Sequence, residues 1–426
     1  MHAFCRSVVL ALVLGAGAAP AFPEDVDASP GNYRARLSAL GPGVTLRLAA
    51  GDYRDGLPVH GLMGTPQEPI RIVAADPLRR PRFLAGPGRN TVSIVDSAHV
   101  EIRGLEIDGQ GVAVDGVKAE GHARWAHHIT LEDLRITGHA ADQQTVAIST
   151  KCPAWGWVIR GNEIAGAGTG LYLGNSDGSA PFFEGLIEGN IVRDTIGYNL
   201  QIKHQGVRPP NLGHGPVSAL TIIRHNTFSK TGNSSGGKAA RPNVLVGHQP
   251  PQGPGRDDVH VLYANLFLGN PGEALFQGEG NIALYSNVFV NPDGSAIVVQ
   301  PHNGVPRSVE IVANTVLARE VGIRLRGADP SRPQRVEGNA VFAGLAMEGG
   351  QWPENVVGPV SAARTHVKSL TVSPETLDAT PLPALRKASA TLSWRVPTFP
   401  DGQLDLTGVA RTSRVAGAVD GFSRGP

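Results

Sequence analysis

Through the middle of the chain, apolar and polar residues alternate in short runs, and each run leads into an Asn followed by a β-branched or aromatic pair. Alternation puts every second side chain on the same face, so each run predicts a half-buried β-strand. A helical period is absent from these runs. The motif occurs seven times, at Gly161–Ile164, Gly189–Val192, His225–Phe228, Ala264–Phe267, Ser286–Phe289, Ala313–Val316 and Gly338–Val341.

Successive motifs are 28, 36, 39, 22, 27 and 25 residues apart, which indicates one structural unit carrying loops of different length. A repeat of this size is typical of a solenoid. One unit reads as three short strands with tight corners, Asn281–Tyr285, Asn287–Val290 and Ala296–Val299. The repeat therefore predicts an all-β parallel β-helix of about ten coils with capped ends.

The repeated Asn has a structural interpretation. Asn tolerates a left-handed backbone, and its amide can bond neighbouring main chain at a bend. Coils stack at about 4.8 Å, so the Asn side chains could also bond one another. We expect a ladder of Asn side chains along the helix and no catalytic role for them.

Composition supports this interpretation and limits the function. The 54 Gly and 33 Pro in 426 residues supply many turns, and 5% aromatic residues with few helix-forming runs argue against a helix bundle. A formal net charge of +1 argues against a nucleic-acid partner, so any preference for charged ligands must come from a local patch.

The first residues have the layout of a secretory signal. Arg6 precedes the apolar run Val8–Leu14, and small residues end at Ala21. We expect a signal peptide over residues 1–21, cleaved near Ala21, and a periplasmic or secreted product. Removal of Cys5 leaves Cys152 alone, so no internal disulfide can form. No later stretch is apolar for long enough to predict a membrane span.

The strands Val44–Leu48, Pro69–Ala75, Val100–Gly109 and Ile129–Glu132 follow one another in the N-terminal part of the chain. This opening resembles that of the right-handed parallel β-helix enzymes of the pectate-lyase-like superfamily, and most resembles the alginate lyase and chondroitinase B family of polysaccharide lyases. The resemblance implies a right-handed β-helix with an N-terminal cap over residues 22–356. Residues 357–426 lose the repeat and are expected to form an irregular C-terminal cap.

Alignment of the last strand of each coil predicts one polar outer face. Five apolar residues point inward in this alignment, namely Ile202, Val246, Phe276, Val299 and Leu325. The polar residues Lys203, Gln277, Gln300 and Arg326 would then share the outer face, with His204, His248 and His302 at the corner beyond.

The longest insertions leave from the same edge. The segments 205–216, 231–242 and 249–258 are rich in Gly and Pro and carry the basic residues Arg208, His214, Lys238, Arg241 and Arg256. Long loops beside a rigid face form the walls of binding sites. The sequence therefore predicts a basic groove across the middle coils.

A basic groove suits an acidic polysaccharide, whose uronate carboxylate must be neutralised before the C5 proton can leave. Cleavage by β-elimination needs a cation on the carboxylate, a base at C5 and a proton donor for the leaving O4. We predict Lys203, His248 and His302 as catalytic residues. The predicted substrate-binding residues are His204, Gln205, Gln249, Gln277, Gln300, Arg324, Arg326, Lys238 and Arg241.

The lyase resemblance places His248 where that family has Lys, and Gln277–Glu279 where it has Arg-His-Gly. Gln300–Asn303 is similar to the Asp-Pro-His-Asp motif of β-helix mannuronan epimerases, in which the His is the base. Three alternatives therefore stay open: a uronate C5-epimerase, a glycoside hydrolase and a non-catalytic carbohydrate-binding protein. A hydrolase needs paired carboxylates, and Asp257 with Asp258 reads better as a turn.

We predict no metal and no cofactor from the sequence. Calcium binding is possible, but no ligand pattern supports it. The acidic residues that could bind calcium are scattered over different coils, namely Glu120, Asp177, Glu273 and Glu279. His204, His248 and His302 show no compact ligand spacing. The particular polysaccharide and the oligomeric state are not determined by the sequence.

Overall fold

The protein is described by a computed structural model that covers residues 25–209, 212 and 218–421. The predicted signal peptide lies outside the described residues. No helix among them combines the length and the apolar character needed to cross a membrane.

Short strands dominate the described chain. The first strands are β1 Val26–Ala28, β2 Thr45–Leu48, β3 Gly51–Tyr53, β4 Leu57–His60, β5 Ile70–Ala74, β6 Pro81–Leu84, β7 Val92–Val95, β8 Ser97–Arg103, β9 Glu106–Asp108, β10 Val117–Ala119, β11 Ala126–Glu132, β12 Arg135–Thr137 and β13 Val146–Thr150. The middle coils contain β14 Ala154–Trp155, β15 Val158–Arg160, β16 Glu163–Ala165, β17 Thr169–Leu173, β18 Phe182–Phe183, β19 Leu186–Glu188, β20 Ile191–Arg193, β21 Leu200–Ile202, β22 Leu220–Arg224, β23 Thr227–Ser229, β24 Val244–Val246, β25 Val259–Tyr263, β26 Leu266–Leu268 and β27 Phe276–Gly278.

The remaining strands are β28 Gly280–Tyr285, β29 Val288–Asn291, β30 Ile297–Val299, β31 Pro306–Val312, β32 Thr315–Leu325, β33 Gln334–Glu337, β34 Ala340–Glu348, β35 Val356–Gly358, β36 Val367–Ser369 and β37 Asp378–Pro381. Three α-helices lie near the ends of the described chain, α1 Tyr33–Leu37, α2 Ala363–His366 and α3 Pro383–Ser389.

The strands form three parallel faces. Face 1 is a 14-stranded sheet running β1-β2-β5-β8-β11-β15-β19-β22-β25-β28-β31-β33, with β14 and β18 at its side. A 21-stranded sheet supplies two further lines of strands. Face 2 runs β3-β6-β9-β12-β16-β20-β23-β26-β29-β32-β34-β35, and face 3 runs β4-β7-β10-β13-β17-β21-β24-β27-β30 and on through the second halves of β32 and β34. The predicted right-handed parallel β-helix is confirmed.

The core is a continuous apolar column inside the three faces. Ile202, Val246, Val299 and Leu325 point inward in one register, as predicted. Phe276 is also buried, but it pairs with Val244, two residues earlier in the register. The sequence alignment was therefore wrong by two residues in this coil. The next residue, Gln277, consequently pairs with Leu245, two residues earlier in the register than predicted.

The predicted Asn ladder is confirmed. Each Asn donates both its main-chain N–H and its Nδ2 to the Oδ1 of the Asn in the next coil, at 2.9 Å in the Asn226–Asn265 pair. The ladder continues from Asn162 to Asn339 and ends at Asn355, which the sequence repeat did not include.

The reason given for Asn at these corners was wrong in one respect. The left-handed residue is the one that precedes each of the seven repeated Asn, for example Ala264 with a φ of 53°. The Asn side chain instead points inward, and its amide joins the coils through buried hydrogen bonds. At each of these corners, the residue before the Asn therefore adopts the left-handed backbone, and the Asn itself makes the hydrogen bonds between coils.

The C-terminal segment covers both the end and one side of the solenoid. The helices α2 and α3 and the antiparallel pair β36–β37 follow the last coil. Beyond them the chain runs back along face 1, where Tyr263 Oη donates to Asp401 Oδ2 at 2.7 Å and Tyr285 Oη donates to the Pro400 carbonyl. At the other end, α1 packs Tyr33 against Tyr53 and Phe83. The C-terminal segment also packs against Val290 and Phe342 of face 2, and face 3 lies away from these contacts.

Candidate functional site

The outer surface of face 3 presents two columns of side chains. The inner column follows the pairing register and contains Lys118, Ser149, Tyr172, Gln201, Leu245, Gln277, Val298 and Arg324. The edge column lies two residues further along each strand and contains Lys151, Gly174, Lys203, Gly247, Glu279, Gln300 and Arg326. The predicted gathering of polar side chains on one face is thus present, with Gln277 in the inner column.

A cleft of about 420 Å³ opens over strands β10, β13, β17 and β21. Face 3 forms its floor, and the loops around residues 143 and 241 form its walls. The charged and aromatic side chains that line the cleft, together with two of its Gln, are Asp115, Lys118, Gln143, Lys151, Tyr172, Tyr198, Gln201, Lys203 and Arg241. Of the predicted site residues, Lys203 and Arg241 lie here.

Lys151 and Tyr172 form the centre of the cleft. The Lys151 Nζ lies 3.3 Å from the centroid of the Tyr172 ring, a cation–π contact. Burial lowers the pKa of Lys151 to about 8, and repulsion from Lys118 and Lys203 adds to the shift. Burial raises the pKa of Tyr172 to about 12. An amine that deprotonates near neutral pH therefore contacts a phenol that keeps its proton.

Lys203 lies two coils from Lys151 in the edge column. Gly174 stands between them and carries no side chain, so the space above it remains open between the two amines. At a strand spacing of about 4.8 Å, the two lysine Cα atoms are about 10 Å apart. Burial also lowers the pKa of Lys203. The two amines line the same cleft on either side of Gly174.

Arg241 faces the floor from the wall. Its guanidinium carbon lies 6.0 Å from the centroid of the Tyr198 ring. The Arg241 carbonyl accepts 2.9 Å hydrogen bonds from the buried Lys230 Nζ and from Asn270 Nδ2, which fix the main chain of the wall. The wall is also tied to the floor side, because Gln143 Nε2 donates to Ser235 Oγ at 2.9 Å and to the Ala239 carbonyl at 2.8 Å.

The cleft carries unneutralised positive charge. Asp115 is its acidic residue, and that carboxylate already contacts Lys118 at 3.2 Å, Ser149 Oγ at 2.9 Å and the Val146 N–H at 3.0 Å. Among the described residues, no carboxylate lies within ion-pair distance of Lys151, Lys203 or Arg241. The cleft therefore favours an anionic ligand.

A second, smaller hollow lies further along face 3. Gln277, Gln300 and His302 line it together with Leu245 and Glu279, in a volume of about 40 Å³. The Glu279 carboxylate accepts hydrogen bonds from three successive main-chain N–H groups, those of residues 302, 303 and 304, at 2.8–3.0 Å. The His302 ring itself is exposed. The structure thus brings these predicted residues together, in a hollow separate from the cleft that contains Lys203.

His204 and His248 lie at the corner beyond the edge column. Their rings stack with centroids 5.5 Å apart, and His248 Nδ1 lies 2.9 Å from the Gln249 carbonyl. Burial and the charge of Lys203 lower the pKa of His204. The two rings border the face without entering the lining of the larger cleft.

Arg324 and Arg326 share one partner, since both guanidinium groups pair with the Glu348 carboxylate. They also lie four strand steps from Lys203, which is about 19 Å at a spacing of 4.8 Å. Arg324 and Arg326, which were predicted to bind the substrate, therefore lie outside the cleft that contains Lys203.

Gln205 and Gln249 require a second correction. Both side chains are buried, and their amides bond main chain: Gln205 Nε2 donates to the Phe182 carbonyl at 2.7 Å, and Gln249 Oε1 accepts from the Asn281 N–H at 2.8 Å. They cannot contact a polysaccharide without losing these bonds. Lys238 is exposed on the 3₁₀ turn Gly237–Ala239 at the rim of the wall.

Lys151, Tyr172 and Tyr198 were not predicted from the sequence. Lys151 ends its strand in the position that Lys203 has two coils later, so extending the strand alignment back to Val146–Lys151 would have found it. Its burial depends on loops that are distant in sequence, and no local pattern signals that.

The donors near the cleft do not fit calcium. Calcium requires several oxygen ligands, whereas the carboxylates of Asp115 and Glu279 are separate and already bonded within the protein. Among the described residues, the one group of three or more potential ligands within reach of one ion consists of His99, His127 and His128. Imidazole nitrogen is not a calcium ligand of choice.

No protein-family model matches the sequence, and no curated protein matches it significantly. Among solved structures, the pectate lyase Pel9A is similar over 93% of this chain and 96% of its own, with 10% identity and a TM-score of 0.49. An alginate lyase from Paenibacillus sp. str. FPU-7 matches 78% of this chain and 99% of its own, with 18% identity and a TM-score of 0.47. The A-module of a mannuronan C-5 epimerase from Azotobacter vinelandii matches 77% and 93%, with 15% identity and a TM-score of 0.41. Identities this low do not define the reaction of this chain.

Proposed function

We propose that the protein binds an acidic, uronate-containing polysaccharide in the cleft over β10, β13, β17 and β21 and cleaves it by β-elimination. One observation carries the proposal: Lys151, with its lowered pKa, contacts Tyr172 in a cleft where Lys151, Lys203 and Arg241 lack carboxylate partners among the described residues. A hydrolase would instead need two carboxylates facing the bond, and Asp115 is the acid that lines this cleft.

Each step has a candidate group. Arg241 and Lys203 hold the uronate carboxylate and so stabilise the negative charge that develops when C5 loses its proton. Neutral Lys151 accepts that proton. The C5–H electron pair forms the C4–C5 double bond, the C4–O4 bond breaks, and the Tyr172 hydroxyl supplies a proton to O4. Transfer of the proton from the Lys151 ammonium to the Tyr172 phenolate restores the site.

The decisive experiment follows the ultraviolet absorbance of the unsaturated uronate, because β-elimination creates this chromophore. Alginate, polygalacturonate, chondroitin and glucuronan are tested separately, with a neutral glucan as the substrate control. We expect a rise with one acidic polymer, and a loss of at least about a hundredfold in Lys151→Ala and in Tyr172→Phe. The control variant is Lys368→Ala, which removes an exposed lysine of the C-terminal cap paired with Asp378.

Failure would take distinct forms. A wild-type protein that produces no absorbance change with any of the four polymers is not a lyase for them. A change in uronate stereochemistry by nuclear magnetic resonance, again without absorbance, would indicate C5 epimerisation. Polymer binding without either change would indicate a carbohydrate-binding protein. Full activity in Lys151→Ala would reject Lys151 as the base, even if elimination occurs.

A further inference from the structure

Three histidines meet at the corner that opens face 1, on strands outside the floor of the cleft. His99 belongs to β8, and His127 and His128 belong to β11. The two strands pair on both sides of His99 and His128, but these two residues bulge out with φ values of 53° and 51°. Non-glycine residues rarely adopt this conformation, and His is enriched among those that do. The bulge projects both imidazoles outward from the same place on adjacent coils.

The ring nitrogens converge. His127 Nδ1 lies 2.8 Å from His128 Nδ1, and the His99 and His128 rings stack with centroids 4.5 Å apart. One nitrogen from each of the three rings lies within 4.8 Å of the others. Two imidazoles on one Zn²⁺, at about 2.0–2.1 Å each and a tetrahedral angle, have nitrogens about 3.4 Å apart. To bind one ion together, the three nitrogens, now up to 4.8 Å apart, must reach this separation by reorientation of the side chains.

The imidazoles are available as ligands. Apart from the His127–His128 contact, none of the three rings has a hydrogen-bond partner among the described residues. An unprotonated imidazole offers a ring-nitrogen lone pair to a metal ion. A hydrogen bond between His127 and His128 would explain why those two rings lie together, but it does not explain the position of the His99 ring.

The surroundings hold the site rigid on one side. The His127 ring stacks on Trp155 at 4.4 Å and also contacts Trp125 at 4.8 Å. Gly156 occupies the bulge position in the next coil, and a side chain there would collide with the His128 ring. The glycine therefore leaves room for His128 beside its neighbours. His128 itself is exposed, so an ion can reach the rings from solvent.

We propose that His99, His127 and His128 bind one divalent transition-metal ion of the Zn²⁺ or Cu²⁺ class. Imidazole ligands select these ions over Ca²⁺ and Mg²⁺. Three protein ligands leave a fourth tetrahedral position open to water or to a ligand. The site uses other strands than the cleft, so it stands or falls independently of the proposed lyase activity.

Binding is tested on the protein without residues 1–21 and without a polyhistidine tag, after treatment with a chelator. Isothermal titration with Zn²⁺ should give one ion per chain, and Ca²⁺ should give no heat of binding. Cu²⁺ should quench the fluorescence of Trp125 and Trp155, and its electron paramagnetic resonance spectrum should show coupling to imidazole nitrogen. Bound Zn²⁺ should also raise Tm, because it binds the folded state.

Single substitutions separate the cluster from adventitious binding. His127→Ala and His99→Ala should each weaken Zn²⁺ binding by about tenfold or more. His128→Asn serves as a second test that preserves folding, since Asn tolerates the left-handed backbone. The matched control is His122→Ala, which removes an exposed histidine from the preceding turn. Absence of a one-to-one complex, or equal affinity in His128→Asn and wild type, would overturn the proposal.

Discussion

The titration of Lys151 gives the proposed reaction a pH dependence. A lysine base must be neutral, so activity should increase as pH rises through its pKa. Burial lowers that pKa to about 8, and repulsion from Lys118 and Lys203 acts in the same direction, while Asp115 opposes the shift. The Tyr172 pKa of about 12 keeps the phenol protonated over the whole range tested. We therefore expect one rising limb in kcat/KM, centred near pH 8, and a plateau above about pH 9.

The size of the effect follows from that pKa. A group with a pKa of about 8 is neutral in about 1% of molecules at pH 6, about 10% at pH 7 and about 90% at pH 9. Below pH 7, kcat/KM should thus fall about tenfold per pH unit. An ordinary lysine with a pKa near 10.5 would be neutral in only about 0.03% of molecules at pH 7. Burial therefore increases the amount of active base about 300-fold at neutral pH.

The assay is the initial rate of absorbance increase at substrate concentrations well below KM, from pH 5.5 to about pH 10. Two variants should move the limb in opposite directions. Asp115→Asn removes a carboxylate that stabilises the ammonium, so the limb should move to lower pH. Lys203→Met removes a neighbouring positive charge, so the limb should move to higher pH.

Several results would refute the reasoning. A flat profile between pH 6 and pH 9 would exclude an amine base with this pKa. Loss of the limb in His248→Ala but not in Lys151→Ala would instead identify an imidazole as the base. A kcat/KM that still rises about tenfold per pH unit up to pH 10 would show that the cleft does not desolvate Lys151.

Three further predictions concern the ladder, the cations and salt. Asn265→Ala should lower the free energy of unfolding by about 3 kcal/mol, because it leaves the buried Asn226 N–H without its acceptor. The control Asn303→Ala, in an exposed loop, should change the free energy of unfolding by less than about 0.5 kcal/mol. Urea denaturation followed by tryptophan fluorescence measures both values. Arg241→Ala should reduce kcat/KM at least about tenfold. The control Arg326→Ala should change kcat/KM less than about twofold, because Glu348 already pairs with Arg326. Equal losses of kcat/KM in the two variants would contradict the proposed position of the site. Raising the ionic strength from about 0.01 M to about 1 M should weaken polymer binding several-fold in the wild type and less in Lys203→Met, as measured by isothermal titration.

The fold was predictable because it repeats. Alternation defined the strands, and the Asn motif marked each coil, so even the inward side chains of β21, β24, β30 and β32 could be assigned. The predicted register was wrong at Phe276 in β27, which pairs with Val244 and not with Val246. A shift of two residues keeps the same side chains inside, so the hydrophobic pattern gives no sign of it.

The site was less predictable because it depends on contacts between distant segments. The sequence could place Lys203 and Arg241 near a groove, but the charge state of Lys151 depends on how deeply it is buried. Likewise, Arg326 reads as a free cation until Glu348 of the next coil is placed beside it. The His99–His128 pair was missed because it lies on bulges, which break the alternation used to align the strands.

The wall and the floor of the cleft come from distant parts of the chain. Lys151 follows β13 on the floor, and burial lowers its pKa to about 8. The segment around Arg241 forms the facing wall, since it folds back from the coil between β23 and β24 and is anchored to Gln143 on the other side of the cleft. The buried Lys230 ammonium fixes the same segment through the Arg241 carbonyl. One insertion therefore supplies the cation proposed to bind the substrate carboxylate and a wall of the cleft that contains the proposed base, so the proposed reaction centre lies beneath this loop.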